Sequence, residues 1–319
     1  MNINRLGLGC MGMNLRRNPA QSIATVHAAI DNGITFLNTG NFYQNGESEM
    51  LLAQALKGIP REKYFVSVKF GLLMSPDGKM YGLDVHPFRI KSQLTYSLHR
   101  LGLDYVDLYQ PSRIDTKIPV EEIIGELAEL KEAGYIRNIG LTEIDADTLR
   151  RAHKVHPIHT VESQYSLIER GIEEDIIPVA RELGVNVLAF GALGHGLLND
   201  RILTADNSPT ASPMGGPMLN AENLPKNLPL VKALKAVADD KGVSLSQLVT
   251  AWVLTKCPDI MCLIGTTSPE HLQNNIDALN ITLSPDDMNR IESTASSHKV
   301  YGNEMRKLFF ENGIPSFRQ

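Results

Sequence analysis

Tyr43 and Lys69 are the side chains of this sequence best placed for proton chemistry, because each follows directly on a short β-rich run. Tyr43 lies behind the apolar run 34–37, in TFLNTGNFYQNGESEMLL, and Lys69 closes YFVSVK. A loop tyrosine, apolar in body with a titratable tip of reference pKa ~10, is more often a packed or surface residue. A lysine beside it changes the reading. Its charge favours tyrosinate and is expected to lower the Tyr43 pKa toward working pH, giving a general acid able to protonate a carbonyl oxygen. Taken singly, Lys69 could merely snorkel and Ser112 could merely turn the chain. The other strand ends are also polar: Asn38, Gln110 to Arg113, Thr142 with Glu143, Glu162 to Gln164, and Gly265 to Thr267.

Those residues need a scaffold that brings strand ends together. Short β-rich runs at residues 5–9, 34–37, 64–69, 104–109, 136–141, 160–162, 185–190 and 260–264 alternate with helical patterns. Helix signals include Pro19 at a start, Gly33, Gly134 and Gly184 at ends, and Ile90, Leu94, Leu98 and Leu101 on one face. Helices are expected over 120–133, 146–153, 230–240, 245–256 and 269–279. Eight strands in this rhythm predict a (β/α)₈ TIM barrel, a single domain over residues 1–319 with a long loop after strand seven. That loop, residues 191–228, is rich in Gly, Pro, Ser and Asn and reads as a lid. A doubly wound sheet is the competitor, since Gly7, Gly9 and Gly12 satisfy G-x-G-x-x-G with Asp31 beyond. The context disfavours it: residues 13–18 separate the glycines from the helix, and Asp31 closes a helix rather than a strand. The glycines then mark a tight strand exit where backbone approaches something closely.

Composition narrows the function classes. The 319 residues are 43% hydrophobic and 21% charged, enough for a large core, and the net charge of −5 comes without a basic stretch. A nucleic-acid surface is not expected. No stretch approaches the ~18 apolar residues of a membrane span and the N-terminus shows no signal-type apolar region, so a cytoplasmic protein is expected. Three scattered cysteines, Cys10, Cys257 and Cys262, make no disulfide framework. His153, His156 and His159 have a spacing open to a metal reading, but Pro157 breaks the helix that would align them and no metal is expected. Oligomeric state is not legible.

GLGCMGM, FLNTGNFY with GESEMLL, VSVKFG, DLYQPSRID, IRNIGLTE, VESQYSLIER and IGTTSPEHLQNNIDAL, in this order, resemble the aldo-keto reductases across nearly the whole chain. DLYQPSRID is similar to a branch that includes pyridoxal-reductase-like members. The resemblance implies hydride transfer between NADP(H), with NAD(H) open, and a small aldehyde or ketone. It puts the proton donor at Tyr43 and its lysine at Lys69. The aspartate that pairs with that lysine falls on Asn38, and the histidine above the nicotinamide falls on Ser112. Cofactor contacts are implied at Gly9, Cys10 and Met11 after strand one, at Thr142 and Glu143 after strand five, and at Glu162 and Gln164 on strand six. Further contacts are implied at Phe190, Gly191, Ala192, Leu193, Gly194 and Gly196 after strand seven. The last group follows strand eight: Gly265, Thr266, Thr267, His271, Asn274 and Asn275.

The departures from the family pattern set the expectations. Asn38 offers an amide oxygen in place of a carboxylate, so Lys69 is expected to lack a charged partner. Ser112 offers one hydrogen bond from a shorter arm. Glu162 stands where a glutamine meets the nicotinamide carboxamide, and Gln164 is the expected substitute. Phe190 keeps the aromatic face. No Lys or Arg occurs between Cys257 and Arg290, where the family grips the 2′-phosphate. Reduced activity is therefore expected, with a non-catalytic cofactor-binding sensor as the alternative. Met11, Met13, Phe42, Tyr81 and the C-terminal FFENGIPSF suggest an apolar substrate pocket.

Overall fold

The computed structural model of the chain describes residues 5–204, 216–303 and 308–317. Eight strands close into a parallel barrel: β1 Leu6–Gly9, β2 Phe36–Gly40, β3 Phe65–Phe70, β4 Val106–Pro111, β5 Ile136–Thr142, β6 Thr160–Gln164, β7 Asn186–Phe190 and β8 Met261–Gly265. Every strand pairs with its neighbours in sequence, and β8 returns to β1 with Gly265 opposite Gly9. This is the expected (β/α)₈ architecture. Among the described residues the strand order closes on itself without reversal, so the doubly wound alternative falls.

The helices on the outside are α1 Pro19–Asp31, α2 Glu47–Ala55, α3 Pro87–Leu101, α4 Val120–Glu132, α5 Ala146–Val155, α6 Ile176–Leu183, α7 Leu224–Lys241, α8 Leu245–Lys256, α9 Pro269–Asp277 and α10 Pro285–Ser296. Their punctuation follows local chemistry. α3 opens on Pro87, buries Ile90, Leu94 and Leu101 toward the barrel, and stops at Gly102 in the left-handed region. α8 begins with a capping box in which Ser244 and Gln247 each satisfy the other's backbone N–H. Among the described residues no helix is long and apolar enough to cross a membrane.

Because side chains alternate across a strand, residues two apart share the barrel interior. Phe36, Phe65, Leu108, Leu188 and Leu263 form a buried apolar plug, with Phe36 and Phe65 stacked at 4.9 Å. Two positions further along the same strands stand Asn38, Ser67 and Gln110, joined by Lys69 and Glu162, all buried. The interior thus turns polar toward the C-terminal ends of the strands. Glycines make the space: a Cβ on Gly7 would sit 2.8 Å from Leu263, and one on Gly140 would sit 2.5 Å from the Gln110 Oε1. Gly7 belongs to barrel packing, not to a phosphate loop.

Several boundaries differ from expectation. β2 runs on to Gly40 and β4 to Pro111, because their polar ends pair with neighbours inside the closed sheet, while β6 ends at Gln164, a little beyond residue 162 as expected. α7 starts at Leu224 rather than residue 230 and absorbs Pro229, which forgoes a single helical hydrogen bond near its start. The segment after β7 is not structureless: it contains short helical turns at Gly194–Gly196, Asp200–Leu203 and Gly216–Leu219. The remainder of the expected lid, residues 205–215, lies outside the described residues. The segment after β3 is a hairpin, Leu72–Met74 with Met80–Leu83, and the C-terminal stretch is another, Leu308–Glu311 with Ile314–Phe317. The two touch where the Leu83 N–H donates to the Gly313 carbonyl at 2.8 Å. Of the apolar residues expected at a pocket, Met13 is wholly in the core while Tyr81 is 60% exposed.

Crowding at Gly140 gives a direct check. The Gly140→Ala variant is expected to lose roughly 1–3 kcal/mol by overpacking against Gln110 and Leu108. Urea unfolding measures it, and an unchanged midpoint would show that the strands are not so closely approached.

Candidate active site

Lys69 is 5% exposed and stands at the centre of the polar layer. Its ammonium donates to the Glu162 Oε1 at 2.9 Å and to the Asn38 Oδ1. The other oxygen of Glu162 accepts from the Asn38 amide at 2.8 Å and from the Gln110 amide at 2.5 Å. Lys69 therefore has a charged partner. The expectation that it lacks one is corrected here: the carboxylate comes from β6, across the barrel, rather than from β2. Gln110 is a residue that sequence reasoning passed over as a strand end. Its signal was positional, since it lies two residues beyond Leu108 on an inward-facing row.

Tyr43 is half-buried and begins a helical turn, Tyr43–Gly46, in which Gln44 and Asn45 take left-handed backbone angles. That turn is pinned from several sides. The Gln44 amide donates to the Met11 carbonyl at 2.6 Å, and the Ser48 hydroxyl donates to the Cys10 carbonyl at 2.9 Å. Behind it the wholly buried Glu49 pairs with Arg100 at 2.6 Å, tying α2 to α3. The Lys69 Nζ lies 5.4 Å from the centre of the Tyr43 ring. Removal from water pushes the Tyr43 hydroxyl above its ordinary pKa, the Lys69 charge opposes this, and the Glu162 carboxylate adds to it. The expected lowering is thus reversed, because burial outweighs a positive charge that Glu162 already balances. Burial alone would lower the Lys69 pKa, but Glu162 and Tyr43 raise it, and the net direction is up.

Around this pair the barrel mouth presents hydroxyls. Ser112 and Thr142 are 2% and 1% exposed, and among the described residues neither oxygen has a hydrogen-bond partner. Glu143 sits at φ 52°, and its carboxylate accepts the Gln164 N–H at 2.5 Å, fastening the exits of β5 and β6 together. Phe190 ends β7, and residues 191–196 coil tightly behind it, with the Gly194 N–H donating to Gly191 at 2.8 Å. His195 lies 6.2 Å from the Phe190 ring with its Nε2 buried. Burial and the nearby Arg113 charge lower the His195 pKa. Cys10 follows Gly9 at the exit of β1, and burial pushes its thiol up to about 12.

Beyond β8, Gly265 leaves open space where a side chain would be, and Thr267 approaches Gly12 of the β1 exit. Thr266 accepts the Ser268 N–H, and Ser268 caps α9. Asn275 donates to the His271 carbonyl at 2.6 Å, and among the described residues its buried oxygen has no partner. Asn274 is different: it donates to Ser246 at 3.0 Å and accepts from Ser244 at 3.3 Å, so its amide serves the start of α8. The His271 ring meets the Arg201 guanidinium. The strand-eight rim is therefore not devoid of a cation; it borrows one from the segment after β7, 70 residues away. The unpartnered oxygens at Ser112, Thr142 and Asn275, with the opening at Gly265, suit a long polar ligand laid across the mouth.

A closed (β/α)₈ barrel with ionisable groups gathered at the C-terminal ends of its strands is the architecture of a barrel enzyme. A family model described as Aldo/keto reductase family matches residues 5–296. A probable aldo-keto reductase of Glycine max is 37% identical over 99% of this chain and 90% of its own length. A glycerol dehydrogenase from Gluconobacter oxydans superposes with a TM-score of 0.79 at 28% identity, covering 93% of this chain and 92% of its own. The holo form of an aldo-keto reductase from Bacillus halodurans gives 0.77 at 25% identity, covering 96% of each chain. The chain belongs to the aldo-keto reductase family, whose general reaction is NAD(P)H-dependent carbonyl reduction of small molecules.

The buried thiols supply a test. Burial pushes Cys262, like Cys10, up to about 12, and Cys257 is buried and also raised. At pH 8 a thiol of pKa about 12 is only ~10⁻⁴ thiolate, so these cysteines are expected to resist a disulfide-exchange reagent in the native protein and to react in denaturant. Fast native labelling of Cys10 would place it in a different environment.

Proposed function

We propose that this protein is an NADP(H)-dependent reductase of aldehydes or ketones in which Tyr43 delivers the proton. Bound, the dihydronicotinamide supplies a hydride to the carbonyl carbon. Thr142 and Gln164 would hold its carboxamide end, Phe190 would face the ring, and residues 191–196 with 265–275 would hold the phosphates and adenosine. Tyr43 keeps its proton at neutral pH, because burial raises it, and gives that proton to the carbonyl oxygen as charge develops there. The Lys69 ammonium beside it stabilises the tyrosinate that results. Ser112 donates one hydrogen bond to the same oxygen, a smaller contribution than an imidazole's.

The observation that carries this reading is the placement of Tyr43 next to a buried lysine whose charge is balanced and whose hydrogen bonds are met. A sensor without turnover draws its support from Asn38 and Ser112. A satisfied Lys69 weakens the first of those arguments. For the phosphate-bearing cofactor, the supporting feature is Arg201 at His271, which brings a positive charge to the first turn of α9, the helix that Ser268 caps.

The Tyr43→Phe variant is expected to lose about 10²- to 10⁴-fold in turnover while binding cofactor as before. NADPH consumption with a panel of aldehydes and ketones, run beside a fluorescence titration, measures both; an unchanged rate removes Tyr43 from the mechanism. Arg201→Ala is expected to raise the KM for NADPH roughly 10- to 100-fold, the value of one charge-assisted contact, and to leave that for NADH nearly unchanged. Equal effects on both cofactors would assign Arg201 to general packing.

A further inference from the structure

We infer that Glu162 is the counter-ion of Lys69 and, through Lys69, a positioning residue for Tyr43, and that Asn38 and Glu162 together form a transposed carboxylate–amide pair. The inference rests on the reading of Tyr43 as proton donor. A buried ammonium is tolerated only with a partner charge and satisfied donors. Here both demands are met from opposite sides of the barrel. Glu162 on β6 supplies the charge at 2.9 Å, and Asn38 on β2 supplies a neutral oxygen. Asn38 then spends its amide protons on the Glu162 Oε2 at 2.8 Å and on Ser67 at 3.4 Å.

Glu162 thereby has three of its four acceptor positions filled within the cluster. One oxygen holds Lys69, and the other receives both Asn38 and Gln110. With both oxygens engaged by this cluster, Glu162 serves Lys69 rather than the carboxamide contact that its position implies. Gly140 contributes indirectly, since a side chain there would collide with Gln110 and break its reach to Glu162. The arrangement is also symmetric in one respect. Exchanging the two residue types, Asp at 38 and Gln at 162, keeps the net charge. The Gln110 amide can flip to accept from the new glutamine, because among the described residues its own oxygen has no partner.

The titratable groups facing Lys69 are Tyr43 from the β2 exit, Cys10 from the β1 exit and Glu162 from β6. Glu162 raises the pKa of both Tyr43 and Lys69. Its loss lets both fall, so the protonated tyrosine that carbonyl reduction needs disappears at lower pH.

The experiment compares E162Q, N38D and N38D/E162Q with the parent for melting temperature, NADPH affinity by fluorescence, and the pH profile of carbonyl reduction. E162Q is expected to melt several degrees lower, to lose roughly 10- to 100-fold in kcat/KM, and to shift its alkaline limb to lower pH, with NADPH affinity within about threefold. The double variant is expected to recover the melting temperature and the limb. If E162Q cannot be purified, the double variant decides alone: folded with the parental limb supports the pair, and unfolded overturns it. Additive losses in the double variant overturn the transposition. Recovery of melting with a limb that never moves overturns the action on Tyr43 while leaving the ion pair. A tenfold loss of NADPH affinity with unchanged melting makes Glu162 a cofactor contact instead. Because melting needs no turnover, failure of Tyr43 as the donor is distinguishable from failure of the Lys69–Glu162 pair.

Discussion

A lysine ammonium held inside a β-barrel constrains everything around it. Leaving such a charge without its partner costs about 3–5 kcal/mol in a typical buried pair, a large share of a domain's net stability. The barrel therefore has to deliver a carboxylate and neutral acceptors to one point, and it does so with side chains from β2, β3, β4 and β6. None of these strands could do it alone. Closure of the sheet makes the cluster, and the cluster gives the mouth of the barrel its chemistry.

The rest of the architecture follows from protecting that point. An apolar plug of Phe36, Phe65, Leu108, Leu188 and Leu263 excludes water from below. From above, the turn carrying Tyr43 is fastened to the β1 exit by Gln44 and Ser48, and α2 behind it is fastened to α3 by the buried Glu49–Arg100 pair. Fixing the tyrosine matters because a general acid works only within hydrogen-bond reach of the atom it protonates. At the mouth, the Ser112 and Thr142 hydroxyls have no partner among the described residues, as groups awaiting a ligand do.

Much of this was legible in the sequence. Alternating strands and helices, Gly and Pro punctuation, and polar residues at strand ends give the barrel and its active face, since those signals are local. Tyr43 and Lys69 stand out for the same reason. What escaped depends on closure. Lys69 and Glu162 are 93 residues apart, and only the barrel shows that they face one another. Arg201 and His271 meet across 70 residues by the path of a segment whose composition reads as loop. The direction of the Tyr43 shift was missed because it is a contest between burial and charge, and sequence supplies the charge but not the burial. Asn38 misled for a related cause: the carboxylate it lacks sits elsewhere.

The central claim is that Tyr43 is kept protonated beside a charge-balanced lysine, and its own ionisation measures this most directly. The absorbance difference at tyrosinate wavelengths between the parent and Tyr43→Phe, followed through alkaline pH, isolates this tyrosine from the others. The account requires Tyr43 to titrate above the ordinary tyrosine value of ~10. Ionisation of Tyr43 near neutral pH would contradict it, and would show that the positive charge of Lys69 prevails unbalanced in the barrel.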